Sequence, residues 1–229
     1  MELAEWEPVY ETILRDFGFD RTADEHARDV LAEIATPFEF DRLAGVAGET
    51  VAIAGGGPSI EAETDRAADA DFVVAASVAA DHLSDAGVDV DLMVTDLDKN
   101  VHSAIELSHA GVPVAVHAHG DNVPAVREHV PEFDQEQVLA TTQAAPVGPV
   151  YNFGGFTDGD RAAFLADEFG AAELRFPGWD LEDRSVDPMK RQKLDWAERL
   201  LYWLERRRGD EFEVLDSRRD EIDTSVLPI

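Results

Sequence analysis

The sequence predicts an α/β fold: a mostly parallel sheet with helices on both faces, Rossmann-like, preceded by a helical N-terminal segment. Three observations predict it. From Thr50 onward, uninterrupted apolar runs alternate with helix-patterned stretches, and such runs belong to strands covered on both faces. Each run ends in a glycine-rich or polar cluster, the position where open parallel sheets bind ligands. The first 49 residues instead carry the three- and four-residue apolar spacing of amphipathic helices.

Taken in order, Leu3, Trp6, Val9, Tyr10, Ile13, Leu14 and Phe17 define a first helix that Gly18 stops. A second is expected from Thr22, read as its N-cap, to Ile34 before Pro37. Residues 1–49 are therefore read as a helical N-terminal segment and residues 50–229 as an α/β domain. Strands are expected in VAIAGGG, FVVAAS, LMVTDLD, VPVAVHAHGD, VLATTQ and VYNFGG, with helices in stretches such as AADHLSDAG, HSAIELSHAG and DRAAFLADEFG. A long helix follows over residues 189–208, with Leu194, Ala197, Leu200, Leu201 and Leu204 on one face. EFEVLDS near the end is expected to add a last, edge strand.

The chain has 229 residues, no Cys, a hydrophobic fraction of 45%, and 49 acidic against 19 basic residues, giving a net charge of −30. A sizeable core is affordable at that length, while disulfide scaffolds, thiolate zinc sites and thiol catalysis are excluded. Nucleic acids and anionic membranes are disfavoured partners, because both require clustered basic residues. The acidic N-terminus lacks the basic start of a signal peptide, and no apolar run reaches the roughly 20 residues that span a bilayer. A cytoplasmic protein is expected, and a homodimer is allowed. Lys99, Lys190 and Lys193 are the only lysines. So acidic a surface with so little lysine points to a salt-adapted protein, since molar salt shortens the Debye length to about 3 Å.

Five clusters carry candidate chemistry. Gly55, Gly56, Gly57, Pro58 and Ser59 follow a strand and open a helix, as in loops whose backbone N–H groups approach phosphate. Ile60 stands where a dinucleotide fingerprint needs its third glycine, Ser77 rather than an acid ends the next strand, and no GK[ST] motif exists. Asp96 and Asp98, at i and i+2, would share one side of an extended chain, where two carboxylates call for a hard cation such as Mg2+. HAHGDN offers His117 and His119 as ligands or buried hydrogen-bonding residues, and Asp121 and Asn122 as polar contacts at a helix start. FGGFTDGDRA joins two glycines to Thr157, Asp158, Asp160 and Arg161, suiting a substrate or metal-phosphate loop. Lys190 and Lys193, one helical turn apart, suit point contacts to phosphate.

In this order, VAIAGGGPS, VTDLD, HAHGDN, FGGFTDGDRA and PMKRQKL resemble the archaeal-type 6-hydroxymethyl-7,8-dihydropterin pyrophosphokinases over about residues 45 to 205. Those enzymes are similar in fold to thiamin pyrophosphokinases, and both use ATP with Mg2+. The resemblance implies transfer of diphosphate from ATP to a pterin alcohol with release of AMP, in pterin cofactor biosynthesis. It further implies Asp96 and Asp98 as the Mg2+ ligands, the glycine loop as the nucleotide cradle, and Lys190 and Lys193 as charge partners of the phosphates. Catalytic roles fall to Asp121, Asp158 and Asp160, and substrate contacts to Asn122, Gln143, Asn152 and Thr157. Rival readings are a thiamin pyrophosphokinase, a metal-dependent phosphohydrolase using the HxH pair, and a nucleotide-binding regulatory module.

Overall fold

The apolar runs become strands because both of their faces are covered. A computed structural model describes residues 1–229. Its helices are α1 (Leu3–Phe17), α2 (Arg21–Ile34), α3 (Ile60–Ala68), α4 (Ala79–Asp85), α5 (Val101–His109), α6 (Val123–His129), α7 (Asp158–Glu168) and α8 (Pro188–Arg208). The strands are β1 (Thr50–Ala54), β2 (Phe72–Ala76), β3 (Leu92–Thr95), β4 (Val114–Ala118), β5 (Val138–Thr142) and β6 (Glu173–Arg175). They form one sheet of order β5-β4-β3-β2-β1-β6, and every pairing is parallel. The α/β architecture read from the sequence is the one observed.

Strand order dictates where the helices go. From β1 to β5 each strand lies beside its predecessor, so successive right-handed crossovers place α3 to α6 on one face. There they bury Ile60, Leu83, Ala104 and Val126 together with Leu31 of α2. The chain then passes to the other face, forms α7, and returns beside β1 as β6. On that face Phe164 and Leu165 of α7 join Leu200, Trp203 and Leu204 of α8 and Trp6, Tyr10 and Ile13 of α1. Trp6 lies near-parallel to Trp203, with ring centroids 6.5 Å apart. The two N-terminal helices thus serve opposite cores. Because β1 and β6 lead to helices on opposite faces, the crevice of the sheet opens between them.

Three local expectations are corrected. VYNFGG is not a strand: Val150 and Tyr151 make only isolated bridges, and Gly154 and Gly155 both adopt φ of +89°, which turns the chain away. EFEVLDS is a 3-10 turn, Glu213–Leu215, in which Phe212 and Leu215 point inward three residues apart. The second helix is capped by Asp20, whose carboxylate accepts the Thr22 backbone N–H at 2.9 Å, rather than by Thr22. No helix is long and apolar enough to cross a membrane.

Candidate active site

The C-terminal ends of the strands meet the starts of α7 and α8 around a cavity of about 330 Å³. The chain after β3 contributes the acids. It is not extended there: Leu97 and Asn100 adopt φ of +65° and +53°, conformations that cost non-glycine residues free energy. The buried Leu97 side chain and its N–H bond to Thr95 Oγ1, 3.0 Å, hold this turn. Asp96 and Asp98 therefore converge through the turn rather than through strand alternation, and the Asp98 N–H donates to Asp96 Oδ1 at 3.1 Å. Asp158, the first residue of α7, completes a group of three whose ligand oxygens lie within 4.8 Å of one another.

The electrostatics of this group are set by its neighbours. Burial would raise the Asp96 carboxyl, but the His119 hydrogen bond at 3.4 Å and the Arg161 guanidinium outweigh it and hold Asp96 well below the usual range. Asp158 is pushed up to about 7 by burial and then by the charge of Asp96. Asp98 is raised by the same two causes. Three hard, crowded oxygen donors that resist simultaneous ionisation suit a divalent cation such as Mg2+. No histidine joins the group: His117 is buried with its Nδ1 3.1 Å from Thr141 Oγ1, and His119 is spent on Asp96.

Facing the carboxylates, Lys99, Lys190 and Lys193 all line the cavity, so every lysine of the chain is gathered here. Burial, and then the charges of Lys99 and Lys193, lower the Lys190 ammonium below the ordinary lysine range. Asp121, exposed after β4, reaches the same cavity. So do Trp179 and Asp180 after β6, and Phe19 and Asp24 from the α1–α2 junction, none of which sequence reasoning singled out. Asp24 stood undistinguished among the acids of α2; only its burial, 3% exposed, sets it apart.

Several expected site residues turn out to hold the frame. Asp160 is fully buried and accepts from the backbone N–H groups of Phe156 and Thr157 and from Thr157 Oγ1, so it caps α7 instead of acting in catalysis. Thr157 lines the cavity, but its hydroxyl proton is committed to Asp160 at 2.6 Å. Asn122 donates to the carbonyls of Asp96 and His117 at 2.7 Å each and accepts from His119 N–H, tying the β3 and β4 loops together. Asn152 is likewise spent on the carbonyls of Gln143 and Ala144. Gln143 reaches the cavity with both amide atoms engaged, Nε2 on Asp24 at 2.7 Å and Oε1 on Arg161 at 3.2 Å.

The glycine loop after β1 is also partly spoken for. Gly55 and Gly57 donate their N–H groups to the carbonyls of Pro177 and Gly178, and Ser59 N–H donates to Asp180 Oδ2, each at 2.9 Å. The anion at the start of α3 is thus a side chain of the protein itself. A Cβ on Gly55 would meet Gly178 O at 2.7 Å, and one on Gly57 would meet Asp180 Oδ2 at 2.4 Å. These glycines let two loops close on each other across the crevice between β1 and β6.

With this geometry in view, comparison with known proteins is direct. Residues 26–185 match the family described as "6-hydroxymethylpterin diphosphokinase MptE-like". The chain is 38% identical to a 6-hydroxymethyl-7,8-dihydropterin pyrophosphokinase of Methanothermobacter thermautotrophicus, covering 90% of this chain and 96% of that protein. It is 39% identical to the protein of that name from Pyrococcus furiosus, over 89% and 94% of the two chains. The like-named protein of Methanocaldococcus jannaschii is 31% identical over 89% and 96%. A carboxylate trio faced by every lysine of the chain is the equipment of a diphosphotransferase, and the chain belongs to the MptE-like 6-hydroxymethylpterin diphosphokinase family.

Proposed function

We propose that this protein transfers diphosphate from ATP to the hydroxymethyl group of 6-hydroxymethyl-7,8-dihydropterin and releases AMP. The observation that carries this reading is the convergence of Asp96, Asp98 and Asp158 with Lys99, Lys190 and Lys193 on one cavity. Asp96, Asp98 and Asp158 would hold Mg2+, whose chemistry here is neutralisation of polyphosphate charge. The lysines meet the same anion from the other side; Lys99 adds a third to the pair expected from the sequence.

In the reaction the acceptor oxygen forms a bond to the β-phosphorus, the bridge to the α-phosphorus breaks, and AMP keeps the bridging oxygen. Little covalent work falls to the protein, so positioning and charge supply the acceleration. The acceptor of the hydroxyl proton would be Asp121, which is exposed, borders the cavity and carries no side-chain hydrogen bond. No histidine joins the carboxylate group, which argues against the phosphohydrolase alternative with its HxH metal ligands.

The experiment is incubation in high salt with Mg-ATP and a panel of alcohols that includes the pterin and thiamin. AMP should appear in equal amount with the pterin diphosphate, and label from the γ-phosphate should follow the pterin. Free phosphate released at a rate indifferent to the pterin would overturn the reading. Asp96→Asn and Asp98→Asn should each lower turnover by at least about 100-fold while leaving the fold intact, as removal of one strong electrostatic contact does elsewhere.

A further inference from the structure

Arg161 is a buried guanidinium, 7% exposed, beside a carboxylate that the site needs free. Left alone, arginine and aspartate form a two-pronged pair that uses both carboxylate oxygens. Here only NH1 reaches Asp158, on Oδ1 at 3.0 Å, and Asp158 Oδ2 has no hydrogen-bond partner. The second prong, NH2, is drawn off to Gln143 Oε1 at 3.2 Å.

Gln143 has no freedom to let go. Its Nε2 donates to Asp24 Oδ2 at 2.7 Å, and that oxygen also accepts from Tyr10 OH at 2.8 Å. The other Asp24 oxygen accepts Gly120 N–H at 2.7 Å. An acceptor-only carboxylate on one side and a donor-only guanidinium on the other fix the amide in one orientation. A side chain bridging these two partners must offer a donor at one end and an acceptor at the other, which glutamine does.

We propose that Gln143, clamped by Asp24 and Tyr10, restrains Arg161 to a single hydrogen bond with Asp158 and so keeps the second Asp158 oxygen open to a divalent cation. Gln143, Asp24 and Tyr10 are positioning residues in this arrangement; they act through Arg161. The helices α1 and α2 thereby reach the carboxylate group through side chains rather than through packing alone. The inference rests on the reading of Asp96, Asp98 and Asp158 as a cation site.

The test measures Mn2+ affinity of the full chain by electron paramagnetic resonance, without ATP or pterin. Gln143→Leu frees the second prong and should weaken Mn2+ binding about 10- to 100-fold, the usual range for partners that orient metal ligands. In an Arg161→Gln background the same change should do nothing, because no guanidinium remains to close on Asp158. Gln143→Leu binding Mn2+ as the parent does, or losing the same factor in both backgrounds, overturns the proposal. Should Gln143→Leu fail to fold, Asp24→Asn serves. Gly120 N–H holds the Asn oxygen, so the new amide donor faces Gln143, forces it to flip, and takes the acceptor from Arg161, with the same loss expected. Failure of the cation reading itself is distinguishable: the parent chain would then bind no Mn2+, or Asp96→Asn would leave its affinity unchanged.

Discussion

Gly57→Ala separates two roles for the glycine loop. If the glycine serves only a bound phosphate, the change leaves the ligand-free protein untouched. The geometry says otherwise, since the new Cβ would lie 2.4 Å from Asp180 Oδ2, 2.7 Å from Gly178 O and 3.1 Å from Asp180 N. Two of these atoms are backbone, so the strain cannot be relieved by a side-chain swing. Overpacking of this kind costs about 1–3 kcal/mol. Displacing the partner loop would also loosen the hydrogen bonds from Gly55, Gly57 and Ser59, at a net of about 1 kcal/mol each. Against this, alanine narrows the unfolded ensemble and returns about 0.4–1 kcal/mol. A net loss of about 3–6 kcal/mol corresponds to a fall in Tm of roughly 6–24 °C for a chain of this size. Thermal unfolding in molar salt without nucleotide measures it. An unchanged Tm, with ATP affinity lowered, would refute the packing argument and restore the glycine to the phosphate.

Lys99→Gln, Lys190→Gln and Lys193→Gln should each raise the KM for ATP about tenfold or more, as loss of a charged contact does; an unchanged KM for any one removes that lysine from the polyphosphate. His117 is held well below the usual imidazole range by burial, the Arg161 charge and His119. The unfolded chain therefore takes up a proton that the folded chain refuses, and stability falls as pH drops below about 6.5, by up to about 1.4 kcal/mol per pH unit. Tm recorded from pH 7.5 to 5 should decline less steeply in His117→Gln than in the parent, and parallel curves would contradict this. We propose that the −30 charge makes the fold depend on salt: moving from molar salt to 0.1 M lengthens the Debye length from about 3 to about 10 Å and should lower Tm. A melting temperature constant over that range would sink the reading.

The five longer strands could be read from the chain because residues such as Val51, Val74, Val94, Val116 and Leu139 are buried in unbroken runs. β6 escaped because Leu174 alone is buried in it, between exposed Glu173 and half-buried Arg175. In the site, TDLD marked two of the three clustered carboxylates by position at a strand end. The third, Asp158, was visible as an acid but not as their partner, since only the crossing to the far face brings α7 to β3. Polar residues at strand ends were overread as substrate contacts. Asn122 and Asn152 satisfy loop carbonyls there, a need that a one-dimensional pattern does not display.

The return of the chain from β5 to the β1 edge bears on the order in which the site is made. During synthesis the N-terminal part emerges first, so Asp96 and Asp98 exist on a ribosome-bound chain well before Asp158. The trio closes only when the segment carrying α7 docks beneath β1, β2 and β3. Local opening that lifts this one segment would dismantle the carboxylate group while the ladder from β1 to β5 stayed paired, because none of those pairings passes through α7. If the trio holds a cation as proposed, cation affinity would gauge the seating of the last crossover, and a hydrogen-exchange experiment on the same protein would gauge the sheet.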